Sequence, residues 1–145
     1  MALSRLDSLY MALVADHSKH PHHHGSLAGV EQIQLNNPTC GDVIALSVQF
    51  EGEQIADIAF SGHGCTISTA SSSMMTDAVI GKTKAQALAL AETFSQLVQG
   101  QAPAQAKELG DAECLAGVAK FPQRIKCATL AWNALKKAIE RDSVN

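Results

Sequence analysis

The chain has 145 residues, of which 46% are hydrophobic and 4% aromatic, so it is long enough to bury an apolar core built mainly from aliphatic side chains. Eleven basic and fourteen acidic residues give a formal net charge of −3, without the basic stripe that binds phosphates, so nucleic acid is not an expected partner. Arg5, Asp7 and Asp16 interrupt the N-terminal apolar residues, which predicts neither a secretory signal nor a membrane span. We expect a single domain over residues 1–145 in the cytoplasm, where thiols stay reduced.

The predicted elements begin with an amphipathic helix over Ala2 to His17, where apolar residues recur at three- and four-residue steps. Ser18 to Ser26 holds four of the six histidines with one proline and one glycine, which is typical of an exposed, mobile loop. Partial two-residue alternation and β-branched residues then predict three strands, over Val30 to Leu35, Val43 to Phe50 and Ile55 to Phe60. The short links between them favour antiparallel neighbours in a meander.

Helical patterns follow the strands, from Cys65 to Gly81 and from Thr83 to Gln99. Gly100 to Lys120 contains one proline and internal glycines, so we expect a loop with short helical pieces. A long terminal helix is predicted from Pro122 to about Arg141, because proline is tolerated in a first helical turn. Strands followed by helices predict an α+β fold: a small three-stranded antiparallel sheet with helices packed on one face.

Three of the four cysteines stand where a turn or an element begins, so their thiols can converge at one end of the fold. These are Cys40 in Asn37-Pro38-Thr39-Cys40-Gly41-Asp42, Cys65 in Gly62-His63-Gly64-Cys65, and Cys127 in Phe121-Pro122-Gln123-Arg124-Ile125-Lys126-Cys127. Clustered cysteines in a reducing compartment favour metal binding or catalysis over disulfides. Asp42 completes a set of four ligands, and thiolate ligands indicate Zn²⁺ or an iron–sulfur cluster. Around Zn²⁺ the set carries a formal charge of −2, which Arg124 or Lys126 can partly offset.

Other interpretations of the same cysteines stay open. The candidate ligands are 25 and 62 residues apart (40 to 65, and 65 to 127), without the closely paired cysteines of structural zinc sites. Cys65 and Cys127 are each also compatible with a small buried side chain. Cys114 offers a four-cysteine set that omits Asp42, although its surroundings are acidic.

Histidines and serines add weaker candidates. His22-His23-His24 is compatible with adventitious nickel or zinc and with a plain polar loop. His63 fits either a ligand or proton donor near Cys65, or a turn residue that faces solvent. The run Ser71-Ser72-Ser73 lacks a Gly-x-Ser-x-Gly elbow, so we interpret it as a region of close helix packing.

Four segments together resemble SufU, the zinc-binding IscU-like family of iron–sulfur cluster assembly. They are Asp16-His17 with Pro21, the run from Leu35 to Asp42, the run from Gly62 to Ser71, and the run from Arg124 to Trp132. The resemblance spans nearly the whole chain and implies an α+β fold with Cys40, Asp42, Cys65 and Cys127 as metal ligands. IscU scaffolds carry a histidine where this chain has Lys126 and lack a segment like Gly100 to Lys120, so both features favour the SufU branch.

The resemblance also implies an activity, zinc-dependent sulfur transfer. A pyridoxal-phosphate-dependent, SufS-like cysteine desulfurase forms a persulfide, and this protein accepts its sulfur for a downstream iron–sulfur assembly scaffold. Cys40 is the implied acceptor, released when a partner histidine replaces it on zinc while the other three ligands hold the metal. Arg124 and, less strongly, Lys126 are the implied docking residues. The alternatives are a scaffold that assembles and transfers a [2Fe–2S] cluster on the same four positions, and a structural zinc module.

Overall fold

The computed structural model describes residues 5–37 and 41–143. Cys40 therefore lies outside the described residues, as does the predicted start of the first helix. In chain order the elements are α1 (Arg5–Lys19), β1 (Gln32–Asn37), β2 (Asp42–Glu51), β3 (Gln54–His63), α2 (Thr66–Val79), α3 (Lys84–Val98), a 3₁₀ segment (Ala106–Lys120) and α4 (Pro122–Ser143). Each predicted helix and strand is present, with ends that move by a few residues.

The three strands form an antiparallel meander in the order β1-β2-β3, as predicted. A tight turn at Gly52 and Glu53 joins β2 to β3, and Gly52 adopts φ 63°, a left-handed conformation that glycine enters without steric cost. A register shift between Gln49 and Phe50 marks a bulge near this turn.

The helices cover the sheet and enclose the apolar core. Helix α4 packs against β1 and β2, and α2 packs against β3. The α+β fold expected from the sequence is therefore confirmed. Trp132 of α4 stacks on Phe94 of α3 with ring centroids 4.6 Å apart, and both side chains are buried. None of the helices in the described part of the chain is long and apolar enough to cross a membrane.

The serine run of α2 allows α2 and α4 to approach closely, as predicted. Ser71 is fully buried, and its hydroxyl donates to the carbonyl oxygen of Ala128 at 2.5 Å. The indole N–H of Trp132 donates to Ser71 Oγ at 3.2 Å. A small side chain with two hydrogen-bonding roles thus fixes the register between the two helices.

The 3₁₀ segment corresponds to the region expected to be a loop with short helical pieces. It is broken at Gly110 (φ 62°, ψ −133°), so it consists of two short runs, as the prediction had it. It also contributes to the core, which the sequence analysis missed. Its buried residues recur at every third position, the period of a 3₁₀ helix: Ala106, Leu109, Ala112, Leu115 and Val118.

One end of the sheet gathers three chain segments. Antiparallel pairing places Asn37, the last residue of β1, opposite Asp42, the first residue of β2. Val43 pairs with His63 at the end of β3, immediately before the turn into α2. The predicted ligand-bearing segments around residues 42 and 65 therefore meet at this end.

Candidate metal centre

Asp42 is a fully buried carboxylate at the start of β2. Its Oδ1 accepts the backbone N–H of Cys65 at 2.8 Å. Its Oδ2 is also buried, and it has no hydrogen-bond partner among the described residues. A buried anionic oxygen without a partner is costly, because it has lost its hydration without replacement. The pattern favours a cation beside Oδ2.

Cys65 caps the N-terminus of α2, directly after the turn that leaves β3. Its backbone is extended (φ −70°, ψ 169°), and its Sγ accepts the N–H of Ser68 at 3.4 Å. The first N–H groups of a helix have no intrahelical partner, and the helix dipole favours negative charge there. The Cys65 sulfur thus lies at the end of α2 that favours an anionic ligand atom.

Cys127 is buried within the second turn of α4. The side-chain amide of Asn37 donates to its Sγ at 3.9 Å, which links the end of β1 to α4. One ligand atom each from Asp42, Cys65 and Cys127 lies within 4.8 Å of the other two. Tetrahedral zinc with its usual bond lengths separates such atoms by about 3.3–3.8 Å, so small side-chain rotations would close the set.

The two glycines around His63 are required by close packing at this centre. At Gly62 (φ 125°) a Cβ atom would lie 2.1 Å from the carbonyl oxygen of Val43. At Gly64 a Cβ atom would lie 2.6 Å from Oδ1 of Asp42. The Gly-x-Gly pattern therefore leaves room for the chain to turn over β2 and for the Asp42 carboxylate to reach Cys65.

Of the other sequence candidates, Cys114 and His63 do not join this group within the part of the chain that the structure describes. Cys114 is half-buried on the 3₁₀ segment, and His63 is exposed at the end of β3. The geometry therefore favours Asp42 over the four-cysteine set that replaces it with Cys114. The role predicted for Cys40 stays a prediction. Next to it in the sequence, the N–H of Gly41 donates to the Asn37 carbonyl oxygen at 2.8 Å.

An exposed, partly cationic rim lies beside the buried centre. Arg124 precedes Cys127 by three residues and so lies on the same side of α4. The side chains of Arg124 and Lys126 are exposed. Phe121, which immediately precedes α4, is a large apolar side chain that is 53% exposed. This rim is made of one apolar and two cationic side chains, all exposed: Phe121, Arg124 and Lys126.

Two further residues near the centre escaped the sequence analysis in this role. Asn37 entered only as part of a motif, and its bond to Cys127 spans 90 residues of sequence. Tyr10 lies within the helix predicted over Ala2 to His17 and was not predicted to have a role at the centre. Burial raises the pKa of the Tyr10 hydroxyl. The Cys114 thiol and, more weakly, Cys65 act in the same direction, whereas Arg124 opposes them.

The fold and the centre define a class. This is a small α+β protein that brings one buried carboxylate and two cysteine sulfurs to a single point, with exposed cations alongside, as in metal-binding thiol proteins. Residues 9–128 match the family model described as the NifU-like N-terminal domain. The chain belongs to this family.

Named relatives agree over almost the full length. The chain is 73% identical over 143 residues to the iron–sulfur cluster assembly scaffold protein IscU of Streptococcus pyogenes, covering 99% of this chain and 90% of the relative. It is 45% identical over 139 residues to the zinc-dependent sulfurtransferase SufU of Bacillus subtilis, covering 96% and 95%. The resemblance to the SufU and IscU proteins drawn from the sequence is confirmed.

Solved structures share the fold. A crystal structure described as that of a hypothetical protein superposes with a TM-score of 0.90 at 74% identity, covering 93% of this chain and 99% of that one. A putative iron–sulfur cluster assembly scaffold protein for the SUF system from Fervidobacterium islandicum gives a TM-score of 0.84 at 33% identity, covering 91% and 97%.

Proposed function

We propose that this protein is a zinc-dependent sulfurtransferase, which accepts persulfide sulfur from a pyridoxal-phosphate-dependent cysteine desulfurase for iron–sulfur cluster assembly. The observation that carries the proposal is the buried Oδ2 of Asp42, which has no hydrogen-bond partner among residues 5–37 and 41–143 and lies near the sulfurs of Cys65 and Cys127. A zinc-dependent sulfurtransferase is also what the name of the Bacillus subtilis relative states. The reaction requires reduced thiols, which fits a cytoplasmic setting.

The donor atoms suit zinc. Two cysteine sulfurs and a carboxylate oxygen are all accepted by Zn²⁺, and Asp42, Cys65 and Cys127 would hold the ion with Cys40 as the fourth ligand. When bound, the ion keeps its sulfur ligands deprotonated near neutral pH. Asp42 supplies the carboxylate that distinguishes this set from a closed four-cysteine site.

Three of the four groups are held in place by the protein itself. The backbone N–H of Cys65 fixes Asp42, the N–H of Ser68 fixes the Cys65 sulfur, and the Asn37 amide contacts Cys127. These bonds do not depend on Cys40. The three anchored groups can therefore stay in position while Cys40 leaves to react, and we propose that this is the division of labour between them.

Sulfur transfer at Cys40 is a thiol exchange. The Cys40 thiolate attacks the outer sulfur of the partner's cysteine persulfide, so a new bond forms between Cys40 Sγ and that sulfur. The sulfur–sulfur bond of the partner breaks, and the partner's cysteine leaves as a thiolate with the electron pair. The proton on the transferred sulfur travels with it, so no external oxidant or reductant is needed. We propose that the rim of Phe121, Arg124 and Lys126, whose side chains are exposed, docks the partner for this attack.

The test is desulfurase turnover, measured with the full-length protein loaded with zinc and after removal of zinc. We expect zinc-dependent enhancement of turnover, retained in Cys114→Ala and lost in Cys40→Ala. Cys114→Ala is the matched control, because it deletes a cysteine that lies outside the cluster. Full enhancement by Cys40→Ala would overturn the acceptor assignment, and equal enhancement without zinc would overturn zinc dependence.

A second candidate function is a scaffold that assembles and transfers a [2Fe–2S] cluster. The observation in its favour is the 73% identical relative, which is named an iron–sulfur cluster assembly scaffold protein. Cysteine sulfurs at the same centre can hold such a cluster as cargo. Iron and sulfide in the protein after anaerobic reconstitution with the desulfurase, together with weak enhancement of turnover, would move this function to first place.

A further inference from the structure

A second group of metal-ligating side chains lies outside the centre described above. His17, at the end of α1, His22, in the loop that follows, and Asp77, near the end of α2, each place one ligand atom within 4.8 Å of the other two. The rings of His17 and His22 have centroids 4.5 Å apart. Two imidazoles and a carboxylate are a donor set that divalent transition-metal ions accept.

His17 is oriented as a metal-ligating histidine usually is. Its ring is 1% exposed, and its Nε2 lies 2.8 Å from Oδ2 of Asp111. A carboxylate only accepts hydrogen bonds, so Nε2 carries the proton and Nδ1 has a lone pair. That lone pair accepts a hydrogen bond from the Ser73 hydroxyl at 2.7 Å. A bound ion would replace this hydroxyl proton as the partner of Nδ1. A metal-bound histidine commonly donates the N–H of its other ring nitrogen to a carboxylate, as His17 does to Asp111.

Asp77 draws two histidines of the loop toward His17. Its Oδ2 lies 2.5 Å from Nδ1 of His22, and its Oδ1 lies 3.4 Å from Nε2 of His23. A close contact between imidazole and carboxylate holds a proton in the absence of metal, and a divalent cation can replace that proton. His23 is thus close enough to Asp77 to serve as an additional ligand beside the three-residue group.

The loop backbone is fixed before any ion binds. The N–H of His22 donates to Ser73 Oγ at 2.7 Å, which attaches the loop to α2. Phe60 of β3 donates its N–H to the His23 carbonyl oxygen and accepts the N–H of Gly25. His23 has a positive φ of 55°, a conformation that non-glycine residues adopt rarely. The loop is exposed, as predicted from the sequence, but it is attached to α2 and β3 rather than mobile.

This group is separate from the thiol centre. Asp77 follows Cys65 by twelve residues along α2, which corresponds to about 18 Å at the helical rise per residue. It contains no cysteine, so its chemistry also differs from that of the thiol centre.

We propose that His17, His22 and Asp77 form a second site for a divalent transition-metal ion of the zinc class, with water or His23 as the fourth ligand. Three protein ligands leave one position open, and we assign the ion a structural role because its ligands come from separate segments of the fold. It joins the end of α1 and its loop to α2 and, through the bond between His17 and Asp111, to the 3₁₀ segment. The inference does not depend on the proposed sulfur transfer.

The experiment is equilibrium dialysis of the metal-free, full-length protein against Co²⁺, followed by absorption spectroscopy. Thiolate ligation of Co²⁺ produces sulfur-to-metal charge-transfer bands, whereas a histidine and carboxylate site produces ligand-field bands alone. His22→Ala and Asp77→Asn each change a partly exposed side chain, so they can be made without disturbing the core. His20→Ala is the matched control, since it removes an exposed histidine of the same segment that lies outside the group.

We expect the wild type to bind a Co²⁺ ion that has ligand-field bands without sulfur-to-metal charge transfer. His22→Ala and Asp77→Asn should each weaken it at least about tenfold, because even the loss of an outer partner of a ligand costs that much. His20→Ala should retain it, and Zn²⁺ should raise the melting temperature less in the two site variants than in this control. The proposal would be overturned if the wild type bound no second ion or if both site variants retained it. Equal loss in His20→Ala would indicate adventitious binding and would also overturn it. Failure of the thiol centre would appear separately, as loss of the charge-transfer bands.

Discussion

The Asp42 carboxylate accepts the backbone N–H of Cys65 at 2.8 Å through Oδ1, and its buried Oδ2 has no hydrogen bond among the described residues. The first contact positions the carboxylate at the N-terminus of α2. Within the described part of the chain, no hydrogen bond replaces the hydration that the second oxygen loses on burial. Metal binding and stability of the fold should therefore be coupled at this residue.

The variant Asp42→Asn tests that coupling. Its amide oxygen can still accept the Cys65 N–H, but the negative charge is lost. We expect zinc affinity to fall by more than about tenfold, while the metal-free protein unfolds at the same temperature or higher. Chelator competition and thermal unfolding with and without zinc measure the two effects. Asp57→Asn is the control, because Asp57 also accepts a backbone N–H, that of Ile58. Unchanged zinc affinity in Asp42→Asn would remove this carboxylate from the ligand set.

Gly64→Ala should damage the centre through packing. The added Cβ would lie 2.6 Å from Asp42 Oδ1, so the carboxylate or the turn must move. We expect weaker zinc binding with a retained far-ultraviolet circular dichroism spectrum. Gly117→Ala is the matched control, because its added Cβ meets only the Tyr10 ring, at an ordinary 3.4 Å. Equal zinc affinity in the two variants would contradict this account of Gly64.

Arg124→Glu should weaken docking of the desulfurase if the rim of Phe121, Arg124 and Lys126 is the contact surface. Reversal of an interfacial charge slows association and increases its dependence on salt. The comparison is Lys137→Glu, which reverses an exposed charge on the same helix thirteen residues away, or about 20 Å. We expect the concentration of protein that gives half-maximal enhancement to rise for Arg124→Glu alone. An equal rise in both variants would indicate a general effect of net charge.

The contact between Ser71 and Trp132 should contribute measurably to stability. Ser71→Ala leaves the buried indole N–H without an acceptor, which costs about 1–3 kcal/mol of unfolding free energy. Once Trp132→Phe has removed that N–H, the serine change should cost less, so the double variant should be less destabilised than the sum of the two single variants. Denaturant unfolding of all four proteins gives the coupling energy, and strict additivity would show that the bond contributes nothing.

Cys114 should make the fold sensitive to alkaline pH. Burial, with a smaller contribution from Asp111, raises the pKa of its thiol from 9.0 to about 12. Above pH 9 the unfolded chain loses a proton that the folded protein keeps, so stability falls as pH rises from about 9 toward 12. Cys114→Ala should flatten this decline in unfolding experiments over that range. A decline of the same slope in the variant would assign it to other groups, such as Tyr10, whose pKa burial also raises.

The strands and long helices were predictable because their signals are local. Alternation and helical periodicity identify α2, α3 and α4 within a few residues of their ends. The 3₁₀ segment was predicted only as a loop with short helical pieces, because a three-residue spacing of apolar side chains matches neither the helical nor the strand period. That spacing, from Ala106 to Val118, was the available signal.

Three of the four predicted ligand positions lie close together in the structure, but the contacts that hold them could not be predicted. The positions of Asp42, Cys65 and Cys127 follow from motifs, yet the bond from Asn37 to Cys127 depends on how α4 packs against β1. The same holds for His17, whose partners Ser73 and Asp111 lie 56 and 94 residues away. Sequence patterns record local periodicity, whereas such contacts arise only from the tertiary arrangement.

The three anchored groups of the centre come from three separate elements, and the last, Cys127, follows Asp42 by 85 residues. A chain still being synthesised therefore lacks the last ligand of the proposed set until α4 has emerged and packed. At ordinary rates of about 5–20 residues per second, the ribosome needs several seconds to add that stretch. Full ligation of an ion at the proposed centre is therefore expected only after α4 has packed. Metal retained through purification would then report fully synthesised, folded molecules.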